Sequence, residues 1–199
     1  MSLKKASLLI LLILLVDQVS KIYIKTHFML GQEIDVLGWF RILFVENEGM
    51  AWGAKIPGSY GKILLTSFRI VAVSLISYWL WDSIRKKSPK ILITSVSLIL
   101  AGAIGNIIDS VFYGVIFDNS LGQIATLFTD KPYGELLKGK VVDMLYFPMY
   151  SEILPNWIPI WGGEYFVFFE PVFNIADTAI STGFGLLVVF NKKAFPKDK

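Results

Sequence analysis

Cysteine is absent from the chain, and histidine occurs once, at His27. The first absence excludes disulfides, thiolate metal sites and a cysteine nucleophile. The second excludes a zinc centre held by two or three histidines and a Ser-His-Asp triad. His27 lies just past the first apolar run and reads as a surface residue. No metal and no cofactor are therefore expected. Charge is also scarce: 18% of residues are charged, against the ~25% of a soluble domain. A net charge of +3 is too small to point to a nucleic-acid partner.

The chain is instead apolar, with 54% hydrophobic residues and a mean hydropathy of +0.59. That composition is an integral membrane protein's, and one membrane domain over residues 1–199 is the simplest organisation. Apolar runs place spans at about 6–24, 63–81, 91–110 and 172–190, separated by loops at 25–62 and 111–171. Each run is close to the ~20 residues that a helix needs to cross the hydrocarbon, and helices satisfy their own backbone polar groups there. The expected class is an all-α membrane protein with four transmembrane helices, a small extracytoplasmic β-rich segment and an interfacial aromatic segment. The basic, then apolar, start also fits a cleaved signal peptide. No small-x-small cleavage site follows, and the run continues into D-Q-V-S-K-I-Y-I, so an uncleaved first span is expected.

Lysine and arginine set the orientation. Lys4 and Lys5 precede the first span; Arg85, Lys86, Lys87 and Lys90 separate the second and third; Lys192, Lys193, Lys197 and Lys199 follow the fourth. With four crossings these segments share one side, so both termini are expected in the cytoplasm. Asp17 and Lys21 then fall in the outer half of the first span, Asn106 and Asp109 at the outer end of the third, and Asn174 and Asp177 near the outer start of the fourth. The carboxylates gather at one depth, near the outer face. Residues 33–46 are rich in β-branched and aromatic residues and read as short strands. Residues 155–169 are aromatic enough to lie at the membrane interface. Residues 111–140 carry turn residues but no periodicity that places them.

Carboxylates inside apolar spans are costly and usually face a protein interior. Asp143 and Asp177 are the candidate catalytic dyad. Two neighbouring carboxylates share a proton rather than both ionise, so one takes a proton from water while the other polarises a carbonyl. The bland alternative makes Asp177 a bundle hydrogen-bonder and Asp143 a solvated loop residue, and composition alone leaves both open. Asp17 and Lys21, at i and i+4, read as a structural ion pair. Gly102 and Gly105 permit close helix packing, and Asn106 with Asp109 repeats the spacing of Asn174 with Asp177. Arg69, inside the second span, reads as a snorkelling or pairing residue.

The motifs D-Q-V-S-K at 17–21, N-E-G-M-A-W-G at 47–53, G-N-I-I-D at 105–109, V-V-D at 141–143 and F-N-I-A-D at 173–177, in this order, resemble the lipoprotein signal peptidase (signal peptidase II) family. The resemblance covers the whole chain. It implies an aspartic endopeptidase of the bacterial cytoplasmic (inner) membrane that removes the signal peptide of a prolipoprotein before its diacylglyceryl-modified cysteine. The family's catalytic aspartates carry onto Asp143 and Asp177. Supporting or substrate-binding roles carry onto Asp17, Lys21, Asn47, Gly49, Trp52, Gly105, Asn106, Asp109 and Asn174. Membrane lipid and the cyclic peptide globomycin are the other implied partners. Two departures stand out: Ser110 occupies the place of the family's usual arginine, and the stretch from Asp109 to Asp143 is longer than usual.

Two readings from other classes compete. A small ion-coupled membrane transporter would use Asp17, Asp109 and Asp177 as a path, but a path needs ionisable groups across the full membrane depth. A non-catalytic assembly factor would tolerate asparagine at Asp143 and Asp177.

Overall fold

Among the described residues, three apolar helices are long enough to cross a bilayer, and a fourth is shorter. The computed structural model describes residues 1–48 and 60–196. α1 spans Leu3–His27 and α2 spans Gly61–Arg85. Each has 25 residues, about 37 Å at 1.5 Å per residue, which exceeds the ~30 Å hydrocarbon core. α3 spans Lys90–Ile108 and continues through one π-helical turn, Asp109–Tyr113, into α4, Gly114–Ile116. α5 spans Ile175–Val189, and a short α6, Asn191–Ala194, follows it.

α5 corrects the expected fourth span, because residues 172 and 173 are not helical. Val172–Phe173 form strand β6, and Asn174 is the helix N-cap. Its side-chain oxygen accepts from the Asp177 amide, while the Asp177 carboxylate accepts from the Asn174 amide, a reciprocal capping box. The cap satisfies amides that would otherwise be orphaned at the helix start. The helix is left with 15 residues, about 22 Å.

α3 is the central helix: half of its apolar stretch is buried inside the protein, against 17% for α1 and 11% for α2. Glycines bring its neighbours close. A Cβ on Gly102 would stand 2.1 Å from the Ala176 carbonyl oxygen of α5, and one on Gly105 would stand 2.6 Å from Asp17 Oδ2 of α1. At one end of the bundle Ala6, Leu80, Ile93, Val96, Leu100 and Ala194 form an apolar core.

The other end carries a four-stranded antiparallel sheet in the order β1-β2-β3-β6, with β1 at Glu33–Leu37, β2 at Phe40–Asn47 and β3 at Val141–Tyr146. The strand-rich reading of 33–46 thus resolves into two strands. Asp143, expected in a loop, is instead on β3, opposite Val45. Phe44, Val142 and Met144 pack with Ile24, Phe28, Tyr113 and Phe117 in a second core, which seats the sheet on the helix ends. β4 (Tyr150–Ile153) and β5 (Tyr165–Phe168) form a separate hairpin, whose connecting segment exposes Trp157, Ile160 and Trp161.

The unplaced 111–140 stretch folds back over the end of α3. The amides of Gly139, Leu137 and Gly134 donate to the carbonyls of Ser110, Val111 and Gly114. A buried cluster pins it: Lys25 pairs with Glu46, Ser120 Oγ donates to Glu46 Oε1 at 2.8 Å, and Lys140 reaches Glu46 Oε2 at 3.0 Å. The Lys25 ammonium lies 5.0–5.8 Å from the rings of Phe44, Phe117 and Tyr133, within cation–π range. Burial works to raise the Glu46 carboxyl, but its lysine partners prevail and hold it below its ordinary value.

Candidate active site

The polar residues of the first, third, fourth and fifth motifs meet where α1, α3, β3 and the start of α5 converge. α1 supplies Asp17 and Lys21, one turn apart and both fully buried. Lys21 Nζ lies 3.0 Å from Asp17 Oδ2 and 2.8 Å from Asp109 Oδ2 of α3's π-turn. It also donates to Asn106 Oδ1 at 3.0 Å. A buried ammonium has three protons to place, and two carboxylates and an amide take them. The expected Asp17–Lys21 pair is therefore part of a triad. Asp17 also acts on α5. Its Oδ1 accepts the Ala176 amide at 2.9 Å, so it caps that helix from outside, alongside Asn174.

Asn106 and Asn174 carry the connection to the candidate dyad. Asn106 Nδ2 donates to Asp177 Oδ1 at 2.8 Å. Asn174 Nδ2 donates to Asp143 Oδ1 at 2.7 Å and to Asn106 Oδ1 at 3.1 Å. Asn47, at the end of β2, donates from Nδ2 to Asp143 Oδ2 at 3.2 Å. Both Asp143 oxygens are thus gripped by amides, while its carboxyl is almost completely buried. Burial, with the neighbouring Asp177 charge second, pushes the Asp143 carboxyl up to about 7, against the pull of Asn47, Asn174 and Lys21. Asp177 is only half-buried. The pair thus combines a sheltered carboxyl that retains its proton near neutrality with a more accessible one, an acid/base arrangement set by environment.

Gly105 is the close-approach point between α3 and Asp17. Ser110, a departure from the resembled motif, is buried, and its Oγ turns back to the Asn106 carbonyl at 2.9 Å; it brings no charge to the site. Gly49 and Trp52 lie outside the described residues. Sequence reasoning missed Gln18 within the first motif. Its Nε2 donates to Asp109 Oδ1 at 2.9 Å and to the Gly105 carbonyl at 3.2 Å, and its Oε1 accepts from Tyr113 Oη at 3.2 Å. Its place next to Asp17 was the one signal available. Among the described residues, no group of three or more histidine, cysteine or acidic side chains is arranged to hold a metal ion.

Residues 9–191 match the family model for signal peptidase (SPase) II. The chain is 53% identical over 188 residues to a lipoprotein signal peptidase of Porphyromonas gingivalis, covering 94% of this chain and 82% of the relative. It is 40% identical to a lipoprotein signal peptidase of Amoebophilus asiaticus, covering 90% and 74%. A bacterial membrane enzyme solved by the in meso method superposes with a TM-score of 0.64 at 23% identity, covering 99% of this chain and 93% of the other; it shares the fold.

Proposed function

The chain belongs to the signal peptidase II family, and from that premise we propose that it is an aspartic endopeptidase in which Asp143 and Asp177 act on the prolipoprotein signal peptide. One observation supports this most: carboxylates from β3 and from the first turn of α5 are tied into one constellation by Asn174 and Asn106. Asp177, the accessible member, takes a proton from water. Asp143 gives its proton to the scissile carbonyl oxygen as the water oxygen attacks the carbonyl carbon. The tetrahedral diol then collapses: the C–N bond breaks, the nitrogen takes a proton from the dyad, and a carboxylic acid and an amine are released. Asp17, Lys21, Asp109 and Gln18 do not touch the reacting atoms; they hold Asn106 and the start of α5.

The substrate is a prolipoprotein cut before its diacylglyceryl cysteine. α5 with α6 completes a fourth crossing, both termini are cytoplasmic, and the sheet end with the dyad lies at the outer face of the inner membrane. The exposed aromatic hairpin rests on the lipid interface, consistent with the enrichment of tryptophan and tyrosine there. Asn47 and Gly105 keep their supporting roles. Globomycin competes for the substrate site. A transport path is not favoured, because the buried carboxylates Asp17, Asp109 and Asp143 gather at one end of the bundle.

The test is a gel-shift cleavage assay of purified protein in detergent on a diacylglyceryl prolipoprotein. Asp143→Asn and Asp177→Asn should each abolish cleavage while retaining near-normal thermal stability. Cleavage that survives either change would sink the assignment.

A further inference from the structure

We propose that Arg69 is the counter-cation of the Asp143–Asp177 pair, holding one carboxylate ionised from α2 and so setting the lower pH limit of cleavage. The inference rests on the reading of those two residues as the catalytic pair. α2 exposes Leu64, Phe68 and Val71, yet one stripe along it is polar. Lys62, Thr66 and Arg69 fall at i, i+4 and i+7, on one helix face. Lys62 Nζ donates to the Glu48 carbonyl at 2.5 Å, next to the Asn47 that grips Asp143. Thr66 Oγ1 donates to the Leu137 carbonyl at 3.0 Å, in the segment that returns to β3. Two successive positions of this face are therefore tied to the segments that frame the site. One turn deeper stands Arg69, half-buried, and the charges that act on it are Asp177 and Asp143.

The surrounding charges leave this role to Arg69. Lys21 acts on Asp143 from α1 but is bound to Asp17 and Asp109. Lys62 lies on Arg69's own face and repels it. A guanidinium within an apolar span is costly unless a partner faces it, and it stays charged at every working pH. A dyad sharing one proton carries one negative charge, which Arg69 offsets. Without Arg69 the pair takes up its second proton at higher pH and loses its base.

The experiment measures cleavage of a diacylglyceryl prolipopeptide against pH for wild type, Arg69→Gln and Arg69→Lys. The melting temperature of each is followed against pH without substrate. Arg69→Gln should move the acid limb of kcat up by about one pH unit, as expected for loss of a nearby opposite charge, with KM within about twofold, whereas Arg69→Lys should keep the limb near its wild-type place. A residue that merely packs would change stability and leave the limb unmoved; a limb in Arg69→Gln that superposes on wild type overturns the proposal. If Arg69→Gln is inactive at every pH, the melting profile decides: an unshifted titration midpoint overturns the proposal, and an upward shift supports it. Asp143→Asn and Asp177→Asn run alongside. Cleavage by either defeats the dyad itself, whereas inactivity of both with an unmoved Arg69→Gln limb defeats only the role of Arg69.

Discussion

Gly102→Ala asks α3 and α5 to separate. The added Cβ would stand 2.1 Å from the Ala176 carbonyl oxygen and 2.7 Å from Ile180 Cγ1. A side-chain methylene can shift with its rotamer, but a backbone oxygen cannot, so the start of α5 must retreat by about 1 Å to restore an ordinary contact. Overpacking of this kind costs ~1–3 kcal/mol, and a backbone clash falls at the upper end. Alanine returns about 0.8–1.0 kcal/mol of helix propensity, which leaves a net loss of about 2 kcal/mol. Ala176 directly precedes Asp177, so the displacement reaches the dyad, where a 1 Å misplacement can cost ~10²-fold in rate. Gly185→Ala is the control: it lies in the same helix, and its Cβ would meet nothing within 4 Å. That change should stabilise the protein by about 0.5–1 kcal/mol and leave cleavage unaltered. Thermal unfolding in detergent and the cleavage rate at saturating substrate are the two readouts. A Gly102→Ala protein that melts and cleaves like wild type would show that the helices do not pack at this distance.

Asn174→Ala removes an N-cap worth ~0.5–2 kcal/mol and an amide that grips Asp143, so it should lower the melting temperature, and it should lower kcat by about tenfold because a buried carboxyl oxygen left unsatisfied costs ~1–3 kcal/mol. Cleavage should also fall as pH rises through about 7, where Asp143, with its raised carboxyl, gives up the shared proton; a kcat profile flat from neutral to alkaline pH would contradict this. Glu46 has the opposite sign. Its carboxyl is held below the ordinary 4.5, so its contribution to stability is present above that pH and is lost as pH falls through the lowered value. Glu46→Ala leaves Lys25 without its buried partner, at a cost of ~3–5 kcal/mol, and thermal melts at pH 7 should show the loss.

The helices were legible because an apolar run of bilayer length has few other uses. The start of α5 was misread because Asn174 and Asp177, three apart, fit both a shared helix face and a cap; the β6 pairing that decides between them involves Leu145 and Tyr146, remote in sequence. The placement of 111–140 was illegible for the same reason, since its anchors, Lys25 and Glu46, lie some 74–95 residues away. Asp143 sat in a visible motif, but strand pairing with Val45 and the amide of Asn47 cannot be read from V-V-D. The first motif advertised its charges, so Asp17 and Lys21 stood out, whereas Gln18, uncharged, did not. Arg69 was visible as a charge in an apolar run, but which way it faces depends on where Lys62 and Thr66 are tied.

The shortness of α5 has a consequence for how deep the reaction runs. Asp17 caps α5 ten residues before α1 ends at His27, so the first turn of α5 lies about 15 Å along the axis below that end. Asp177 in that turn and Asp143 on β3 therefore meet at the junction of the helix bundle and the sheet, below the end of α1. On the proposed function, a chain held in the bilayer by acyl tails would reach that junction without leaving the lipid, and depth would select substrate before any side chain does.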